Sequence, residues 1–349
     1  MASFALKSVL FLGILGVLSA CKPQSPAENS RPFTTFEGKT MGTFYSVKIS
    51  GALPESSQQL QQEVDALLEQ ANNEISTYRS DSVLSRFNRY AGTDPQPISN
   101  GMADIILAAQ RIGRATGGAM DITVGPLVNL WGFGPQKQPT RVPSQQQIDE
   151  ARHKVGLNHL RLISNNQGEW LQKDLPDMYV DLSTLGEGYG AELLAQLMTR
   201  KGITNYLVSV GGAISSRGVN GQGQPWRVAI QKPTDKENAI QAAVDLQGYG
   251  ISTSGSYRNY FEQDGKRYSH IIDPATGRPI THQLVSATVI ARTALEADGW
   301  DTGLMVLGTE KALKLAEQQG LAVYLITKTD KGFEAVMTPQ FKAFLLPTP

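Results

Sequence analysis

The sequence is almost free of cysteine, since Cys21 is the only one among its 349 residues. A chain with one cysteine cannot form an intramolecular disulfide, and it cannot build a zinc site from several thiolates. Cys21 lies in the N-terminal segment, so the folded part that follows has no thiol nucleophile. Any catalysis by this chain must therefore use oxygen and nitrogen groups.

An excess of charge of either sign is also missing. The 32 Lys and Arg residues balance the 32 Asp and Glu residues, and charged residues make up only 18% of the chain. Proteins that bind nucleic acid usually carry a basic patch, so this composition predicts no nucleic-acid partner. Aromatic residues are scarce at 7%, whereas the 34 glycines fit an α+β enzyme with many turns. The length suffices for one large domain or two smaller ones.

The N-terminus has no apolar run long enough to span a bilayer, which takes about 20 residues. Lys7 precedes an apolar stretch at residues 9–18, and Leu18-Ser-Ala-Cys21 then matches the bacterial lipobox. Residues 1–20 are therefore predicted to be a lipoprotein signal peptide, with Cys21 as the lipidated first residue of the mature protein. The alternative is an ordinary secretory signal with an incidental cysteine.

The segment after Cys21 is polar, contains proline and shows no hydrophobic periodicity. Residues 21–34 are predicted to be a lipidated tether, and residues 35–349 the exported, membrane-tethered domain.

Hydrophobic periodicity in this domain predicts an α+β fold with mixed or antiparallel sheets and packed helices. Strands are predicted at 43–49, 179–182, 206–210, 226–231, 242–246, 284–290 and 321–327. Helices are predicted at 56–76, 101–116, 144–155, from a glycine-rich turn to about 201, and at 294–307 and 310–319.

The stretch from Tyr268 to Pro279 is predicted to organise the functional site. It begins as a strand and ends in a tight reversal, for which Asp273-Pro and Thr276-Gly are strong signals. His270 could move a proton near neutral pH, and Asp273 could orient a neighbouring group. By pattern alone, a catalytic histidine and a satisfied core histidine are both open.

A second polar cluster lies in the apolar helix predicted at 294–307. Asp298, Asp301 and Thr302 stand at i, i+3 and i+4, so their oxygens share one helical face. Hard oxygens of this kind suit Mg²⁺, and Thr184 could complete the set. The alternative is that the aspartates only favour the helix dipole, but an unpaired carboxylate inside an apolar helix would be costly to bury.

Three glycine-containing segments could approach a ligand closely. Residues 181–190 read as strand, glycine-rich turn and helix, an arrangement that can offer amides to a phosphate, although such a turn is often only a tight connection. Residues 117–126 place Asp121 where it could accept hydrogen bonds from ring nitrogens or ribose hydroxyls. Met41 lies in a compact turn, where methionine is more often a gap-filler. Tyr78 could stack on a planar ring or be an ordinary surface tyrosine.

Taken in order, these motifs resemble those of the ApbE family, the FAD:protein FMN transferases. The motifs are Met41-Gly-Thr, Asp121-Ile-Thr-x-Gly-Pro, Asp181-Leu-x-x-x-x-x-Gly, Gly211-Gly, His270-Ile-Ile-Asp-Pro-x-Thr-Gly and Asp298-x-x-x-Thr302. The histidine motif is highly specific, and the likeness spans nearly all of the chain after the tether. The resemblance implies an ApbE-like architecture related to the T-fold.

The resemblance also implies an activity. Such an enzyme cuts the pyrophosphate of FAD, moves FMN onto a threonine hydroxyl of an acceptor flavoprotein and releases AMP. The implied acceptors are exported subunits of membrane redox pumps of the Nqr or Rnf type. This places the lipid-anchored enzyme at the periplasmic side of the cell inner membrane. Two alternatives are an FAD pyrophosphatase, with water as the nucleophile, and a lipoprotein that only binds flavin.

The resemblance assigns roles to particular residues. His270 is implied as the proton acceptor from the attacking threonine. Thr184, Asp298 and Thr302 are implied as the Mg²⁺ site, together with Asp301, which stands where a small residue is common. The implied FAD contacts are Met41, Tyr78, Ala119, Met120, Asp121, Asp181, Glu187 and Ile272. Glu187 departs from the family, which commonly has lysine there, and Ala213 stands where aspartate is common.

Overall fold

A computed structural model describes residues 31–135, 141–233, 240–257 and 259–347. The predicted signal peptide, Cys21 and most of the predicted tether lie outside the described residues. The first strand begins at Phe33, two residues before the predicted start of the domain.

The strands of the described residues are β1 (Phe33–Thr40), β2 (Thr43–Ser50), β3 (Gln96–Ile98), β4 (Leu160–Asn165), β5 (Gly168–Lys173), β6 (Tyr206–Val210), β7 (Ala213–Arg217), β8 (Val228–Gln231), β9 (Ile240–Val244), β10 (Gly250–Gly255), β11 (Tyr260–Gln263), β12 (Lys266–Ser269), β13 (Ile272–Asp273), β14 (Arg278–Pro279), β15 (Leu284–Ala291), β16 (Ala322–Thr329) and β17 (Gly332–Met337). The α-helices are α1 (Ser57–Ile75), α2 (Val83–Arg89), α3 (Asn100–Ala115), α4 (Gly125–Leu130), α5 (Gln145–Arg152), α6 (Ser183–Arg200), α7 (Ala294–Leu307), α8 (Thr309–Gln319) and α9 (Pro339–Lys342), and a 3₁₀ turn spans Leu157–His159.

An eight-stranded antiparallel sheet in the order β1-β2-β6-β7-β10-β15-β16-β17 forms the centre of the fold. Helices α1 and α6 pack on one of its faces, and α7 packs on the same sheet against β10 and β15. The hairpin β8–β9 and α9 cover part of the opposite face through a separate apolar cluster. This architecture confirms the predicted α+β class with antiparallel sheets and packed helices.

Amphipathic helices form where the sequence places them. The helix predicted at 56–76 is α1, which begins with a capping box between Ser56 and Gln59 and buries one apolar stripe. The helix predicted at 294–307 is α7, with the same bounds. Within the described residues, no helix is both long enough and apolar enough to cross a membrane.

The strand predicted at 179–182 is wrong, and so is the glycine-rich turn after it. The segment is extended but joins no strand, because the Asn88 side chain satisfies the backbone N–H and C=O of Val180, both at 2.8 Å. The Asp181 N–H donates to the carbonyl of Ile122 at 2.7 Å. The helix then begins directly at Ser183, so Gly186 to Gly190 are helical residues and their N–H groups do not form a phosphate turn.

Four strands of the central sheet, β1, β7, β10 and β17, were not predicted. The strand predicted to close the fold at 321–327 is β16, and β17 follows it as the edge strand. Five of the six residues in β17 are exposed, so it lacks the alternation of buried and exposed positions that marks a half-buried strand.

Candidate active site

Helices α6 and α7 approach each other closely at Gly188. A methyl group there would lie 2.5 Å from the carbonyl oxygen of Ala294 and 2.6 Å from Cβ of Asp298. The glycine N–H donates to Oδ2 of Asp298 at 2.7 Å, and the Ser252 hydroxyl of β10 donates to Oδ1 at 2.9 Å. The Asp298 carboxylate is therefore held between α6, α7 and β10.

Asp301 lies next to Asp298 and is even more deeply buried, at 1% exposure. Its Oδ1 accepts a hydrogen bond from the hydroxyl of Thr302 at 3.2 Å, whereas its Oδ2 is buried and has no hydrogen-bond partner in the described residues. Burial raises the pKa of Asp298 to about 8, and burial together with the charge of Asp298 raises that of Asp301.

A divalent cation fits this pair of carboxylates. Two buried carboxylates with an unpartnered oxygen are costly unless a positive charge compensates them, and hard oxygens are the ligands that Mg²⁺ prefers. Thr302 is part of the same helix, and Thr184 lies on α6 one turn before Gly188, on the same helical face. No group of three or more His, Cys, Asp or Glu side chains in the described ranges could hold a metal by itself. A cation held here would therefore take further oxygens from hydroxyls, carbonyls, water or a ligand.

Glu187 faces the same region from α6. Its carboxylate accepts a hydrogen bond from the N–H of Gly212 at 2.7 Å, and its charge contributes to the raised pKa of Asp298. Burial raises the pKa of Glu187 as well. Gly211 has a φ of 51°, and a methyl group there would lie 2.1 Å from this carboxylate, so glycine is required for the contact.

Asp121 and Asp181 occupy neighbouring segments joined by the Asp181–Ile122 backbone bond. Oδ1 of Asp181 accepts from the N–H and hydroxyl of Ser183, the first residue of α6, at 2.9 and 2.7 Å. Oδ1 of Asp121 accepts from the N–H and hydroxyl of Thr123 at 2.7 and 2.6 Å. Burial raises the pKa of Asp121. Each carboxylate therefore orders the loop to which it belongs.

Tyr78 is 70% exposed, which is unusual for a large aromatic side chain. Its pKa is raised first by partial burial and then by the charge of Asp181, so its ring lies near that carboxylate. The following residue, Arg79, holds the loop to α1 through a 2.8 Å bond to Glu69. An exposed ring on an anchored loop can stack on a planar ligand.

Met41, Ala119 and Met120 have different environments. Met41 adopts a φ of 49° at the tip of the β1–β2 hairpin, a conformation that side chains other than glycine rarely take. Ala119 is half-buried, while Met120 is buried and packs against α7 at Gly303, next to Thr302. Any ligand contact at Met120 would therefore fall to its backbone.

His270 follows the β11–β12 hairpin, whereas the acidic pair belongs to α7. Its Nδ1 lies 3.0 Å from the carbonyl oxygen of Asn259, and the Phe133 ring meets it edge-on. A carbonyl can only accept, so Nδ1 carries the proton of the neutral ring and Nε2 carries the lone pair. Burial lowers the pKa of His270, which keeps the ring neutral and able to accept a proton.

Ile272 is buried in an apolar cluster with Trp131 beneath the histidine segment. The indole N–H of Trp131 donates to the carbonyl of Gly277 at 2.8 Å and fixes the reversal that follows. The side chain of Ile272 thus supports the segment, and any ligand contact falls to its backbone.

Sequence reasoning missed Ser252 and the role of Gly188 in binding Asp298. It also missed Lys173, whose ammonium group is fully buried, lies over the Phe87 ring and donates to the carbonyls of Asn88 and Met178. Of these contacts, only that of Gly188 was indicated in the sequence, because this glycine ends the Asp181 motif.

The ApbE family model matches residues 41–325, which is most of the chain. The chain belongs to the ApbE family. It is 58% identical over 344 residues to the FAD:protein FMN transferase of Escherichia coli K12, covering 99% of this chain and 98% of that protein. It is 62% identical over 310 residues to the protein of that name from Salmonella typhimurium, covering 89% of each.

Solved ApbE structures share the fold. The flavin transferase ApbE of Vibrio cholerae superposes with a TM-score of 0.84 at 44% identity, covering 90% of this chain and all of that one. The apo form of the flavinyl transferase ApbE of Pseudomonas stutzeri gives 0.82 at 39% identity, covering 90% of this chain and 96% of that one.

Proposed function

We propose that this protein transfers the FMN moiety of FAD to a threonine hydroxyl of an acceptor flavoprotein, in a Mg²⁺-dependent reaction that releases AMP. Family membership and the names of its relatives support the reaction class. The observation in this chain that carries the proposal is the buried Asp298–Asp301 pair with its unpartnered oxygen. Such a pair suits a cation that acts on a diphosphate.

Thr184, Asp298, Asp301 and Thr302 would hold the cation. When bound, Mg²⁺ would neutralise charge on the diphosphate oxygens. The Gly188 N–H and the Ser252 hydroxyl fix the Asp298 carboxylate on two sides, so its orientation is set before any ligand arrives.

The flavin nucleotide would be bound by Met41, Tyr78, residues 119–121, Asp181, Glu187 and the backbone of Ile272. The exposed ring of Tyr78 offers a stacking surface beside Asp181. Asp121 and Asp181 each use Oδ1 within their own loop, so Oδ2 of each can accept a hydrogen bond from a ring nitrogen or a ribose hydroxyl.

His270 acts as the general base. Nε2 takes the proton of the acceptor hydroxyl, whose oxygen then forms a bond to the FMN phosphorus. The bond from that phosphorus to the bridging oxygen breaks, and AMP leaves with the electron pair. The Asn259 carbonyl keeps Nδ1 protonated throughout, so Nε2 remains the accepting nitrogen.

We also propose that Cys21 is lipidated and anchors the enzyme at the periplasmic side of the cell inner membrane. The lipobox supports this anchoring. The acceptors would then be exported subunits of Nqr-type or Rnf-type redox pumps, which the enzyme could reach on that side.

Incubation with FAD, Mg²⁺ and an acceptor domain tests the reaction. Flavin fluorescence that stays with the acceptor in a denaturing gel is expected. FMN and AMP without labelling would indicate a pyrophosphatase, and intact FAD would indicate binding only. His270→Ala should abolish labelling while FAD still binds, whereas His153→Ala, at the exposed end of α5, should label normally. Normal labelling by His270→Ala would remove this histidine from the mechanism.

A further inference from the structure

The chain emerges from its N-terminal segment at one end of the large sheet, and the candidate active site lies at the other end. The Arg31 N–H donates to the carbonyl of Gly221, and Phe33 pairs with Ser50, so these residues mark one end. The Met41 turn marks the opposite end of β1. Over the eight residues of β1, these ends are about 26 Å apart.

The opposite end carries the site residues. The Gly211 N–H donates to the carbonyl of Phe44, just beyond the Met41 turn, and the neighbouring Gly212 N–H binds Glu187. Strand β1 therefore runs from the end that follows the predicted lipidated segment towards the end that carries the candidate active site.

The end where the chain emerges, here called the anchor end, is basic. It carries four cations, Arg31, Lys48, Arg217 and Arg227, and in the described residues none of them has a carboxylate within ion-pair distance. Arg227 donates to the carbonyl of Pro347, and Lys48 and Arg227 line one groove of about 330 Å³. Among the residues that the structure describes, Glu37 is the one acidic residue that lines this groove.

An exposed aromatic ring accompanies these cations. Phe33 is 54% exposed, and its ring lies against that of the buried Trp226, with centroids 6.3 Å apart. The Trp226 indole N–H donates to the carbonyl of Arg217 at 3.1 Å, which ties the ring pair to one of the cations. An exposed apolar ring next to cations suits a surface that rests on lipid, since the ring can enter the interface and the cations attract anionic headgroups.

We propose that the anchor end binds the surface of an anionic lipid bilayer, so that the active site faces away from the membrane. This proposal rests on lipidation of Cys21. From Cys21 to Arg31 the chain can reach at most about 35 Å, which keeps the anchor end close to the bilayer. The positive charge of this end complements anionic headgroups, and Phe33 can enter the interface.

The orientation has a consequence for the acceptor. Its threonine must reach a site that stands about 26 Å farther from the bilayer than the anchor end. An acceptor whose threonine lies flush with the membrane surface would be a poor substrate of the anchored enzyme.

Fluorescence resonance energy transfer to a dye in the lipid tests the orientation of the protein on the membrane. Two singly labelled proteins are compared. The full-length lipidated chain is reconstituted into vesicles that contain anionic phosphatidylglycerol. Because Cys21 would be blocked by lipid, one new cysteine gives a unique label: Gln222→Cys at the anchor end or the 66%-exposed Phe44→Cys at the site end. The Gln222 label is expected to transfer more efficiently than the Phe44 label.

Charge reversal separates this surface from the anchor itself. Each cation near an anionic leaflet strengthens surface attraction about fivefold. The transfer efficiencies of the two labels should become more equal in the double variant Arg217→Glu with Arg227→Glu. The same change is expected when the vesicles are zwitterionic. The matched control, Lys311→Glu with Lys314→Glu on exposed positions of α8, should leave their ratio unchanged.

Equal transfer from both labels of the otherwise unaltered chain, or a ratio insensitive to lipid charge, would overturn the proposal. Failure of the full-length chain to attach to vesicles would overturn it as well. Labelling of a soluble acceptor is measured in parallel and reports on the transferase reaction alone. The Arg217/Arg227 variant should keep that rate, so failure of the membrane proposal and failure of the proposed function give different results.

Discussion

Two glycines on α6 allow a sharp test of how the acidic site is built. At Gly188 a methyl group would lie 2.5 Å from the Ala294 carbonyl oxygen and 2.9 Å from Cα of Leu295. At Gly186 the nearest atom would be Cδ1 of Ile75 at 3.8 Å, an ordinary contact. Both glycines are buried in the same helix, so the same substitution to alanine isolates the α6–α7 contact.

The expected effects have opposite signs. Alanine is favoured over glycine in a helix interior by about 1 kcal/mol, so Gly186→Ala should be stabilising by up to that amount. Gly188→Ala gains the same propensity but overpacks a backbone contact, which costs about 1–3 kcal/mol and more if α7 shifts. The shift would also lengthen the 2.7 Å bond from the Gly188 N–H to Asp298. Because the gain in helix propensity is common to both, the two variants should differ by the overpacking cost, about 1–3 kcal/mol.

Urea unfolding gives the free energies of unfolding, and the flavin-labelling assay gives the Mg²⁺ dependence. Gly188→Ala should be less stable than Gly186→Ala and should need more Mg²⁺ for the same rate, because the Asp298 carboxylate is displaced. Equal stability of the two variants would refute the argument that Gly188 is needed for helix approach. Lower stability with an unchanged Mg²⁺ titration would separate the packing role from the cation site.

Three further predictions follow from the same geometry. Since burial lowers the pKa of His270, the labelling rate should be flat near pH 7 and fall only below the ordinary value of 6.5; a midpoint above 6.5 would contradict the neutral base. The folded state then resists protonation, so this histidine's contribution to stability is lost as pH falls through its lowered pKa, and acid unfolding should be milder in His270→Ala. Asn88→Ala removes two hydrogen bonds to the backbone of Val180. It should reduce the free energy of unfolding by about 2 kcal/mol and raise the KM for FAD. A lower stability with an unchanged KM would limit Asn88 to a structural role. In EDTA, Asp301→Asn should be more stable than the parent protein. A ligand at 100 times its Kd stabilises a protein by about 2.7 kcal/mol, and the variant should lose this stabilisation by Mg²⁺, as thermal unfolding with and without Mg²⁺ would show. An unchanged Mg²⁺ effect would exclude Asp301 as a ligand.

The sequence predicts elements whose pattern is local. Helix α1 shows an apolar stripe and a capping box, and α7 is bounded by the N-cap Thr293 and by Gly308, so the limits of both can be read from neighbouring residues. The prediction fails for 179–182, where an apolar run reads as a strand. That segment's backbone bonds go to Asn88, which lies 92 residues away, and no local pattern reveals such a partner.

In the candidate site, too, some features can be predicted from the sequence and others cannot. The motif residues are identified by their order and spacing, but their partners come from other elements. Ser252 on β10 binds Asp298 across 46 residues, and the Asn259 carbonyl sets the tautomer of His270. These contacts depend on how α7 packs against the sheet and how the β11–β12 hairpin closes, so they could not be read from the sequence.

The departure from the family at residue 187 gains a physical meaning from this packing. Glu187 adds a third carboxylate beside Asp298 and Asp301, and the pKa of each of the three is raised. The N–H of Gly212 donates to Glu187, but burial raises the pKa of this carboxyl more than that bond lowers it. A bound cation would favour the ionised forms of all three acids, and its positive charge would then face the proposed diphosphate without a positive side chain at residue 187. Glu187→Lys should therefore weaken the dependence on Mg²⁺ and not abolish FAD binding, which a magnesium titration of FAD affinity would reveal. A stronger dependence on Mg²⁺ in that variant would mean that Glu187 does not act through the charge of the acidic pair.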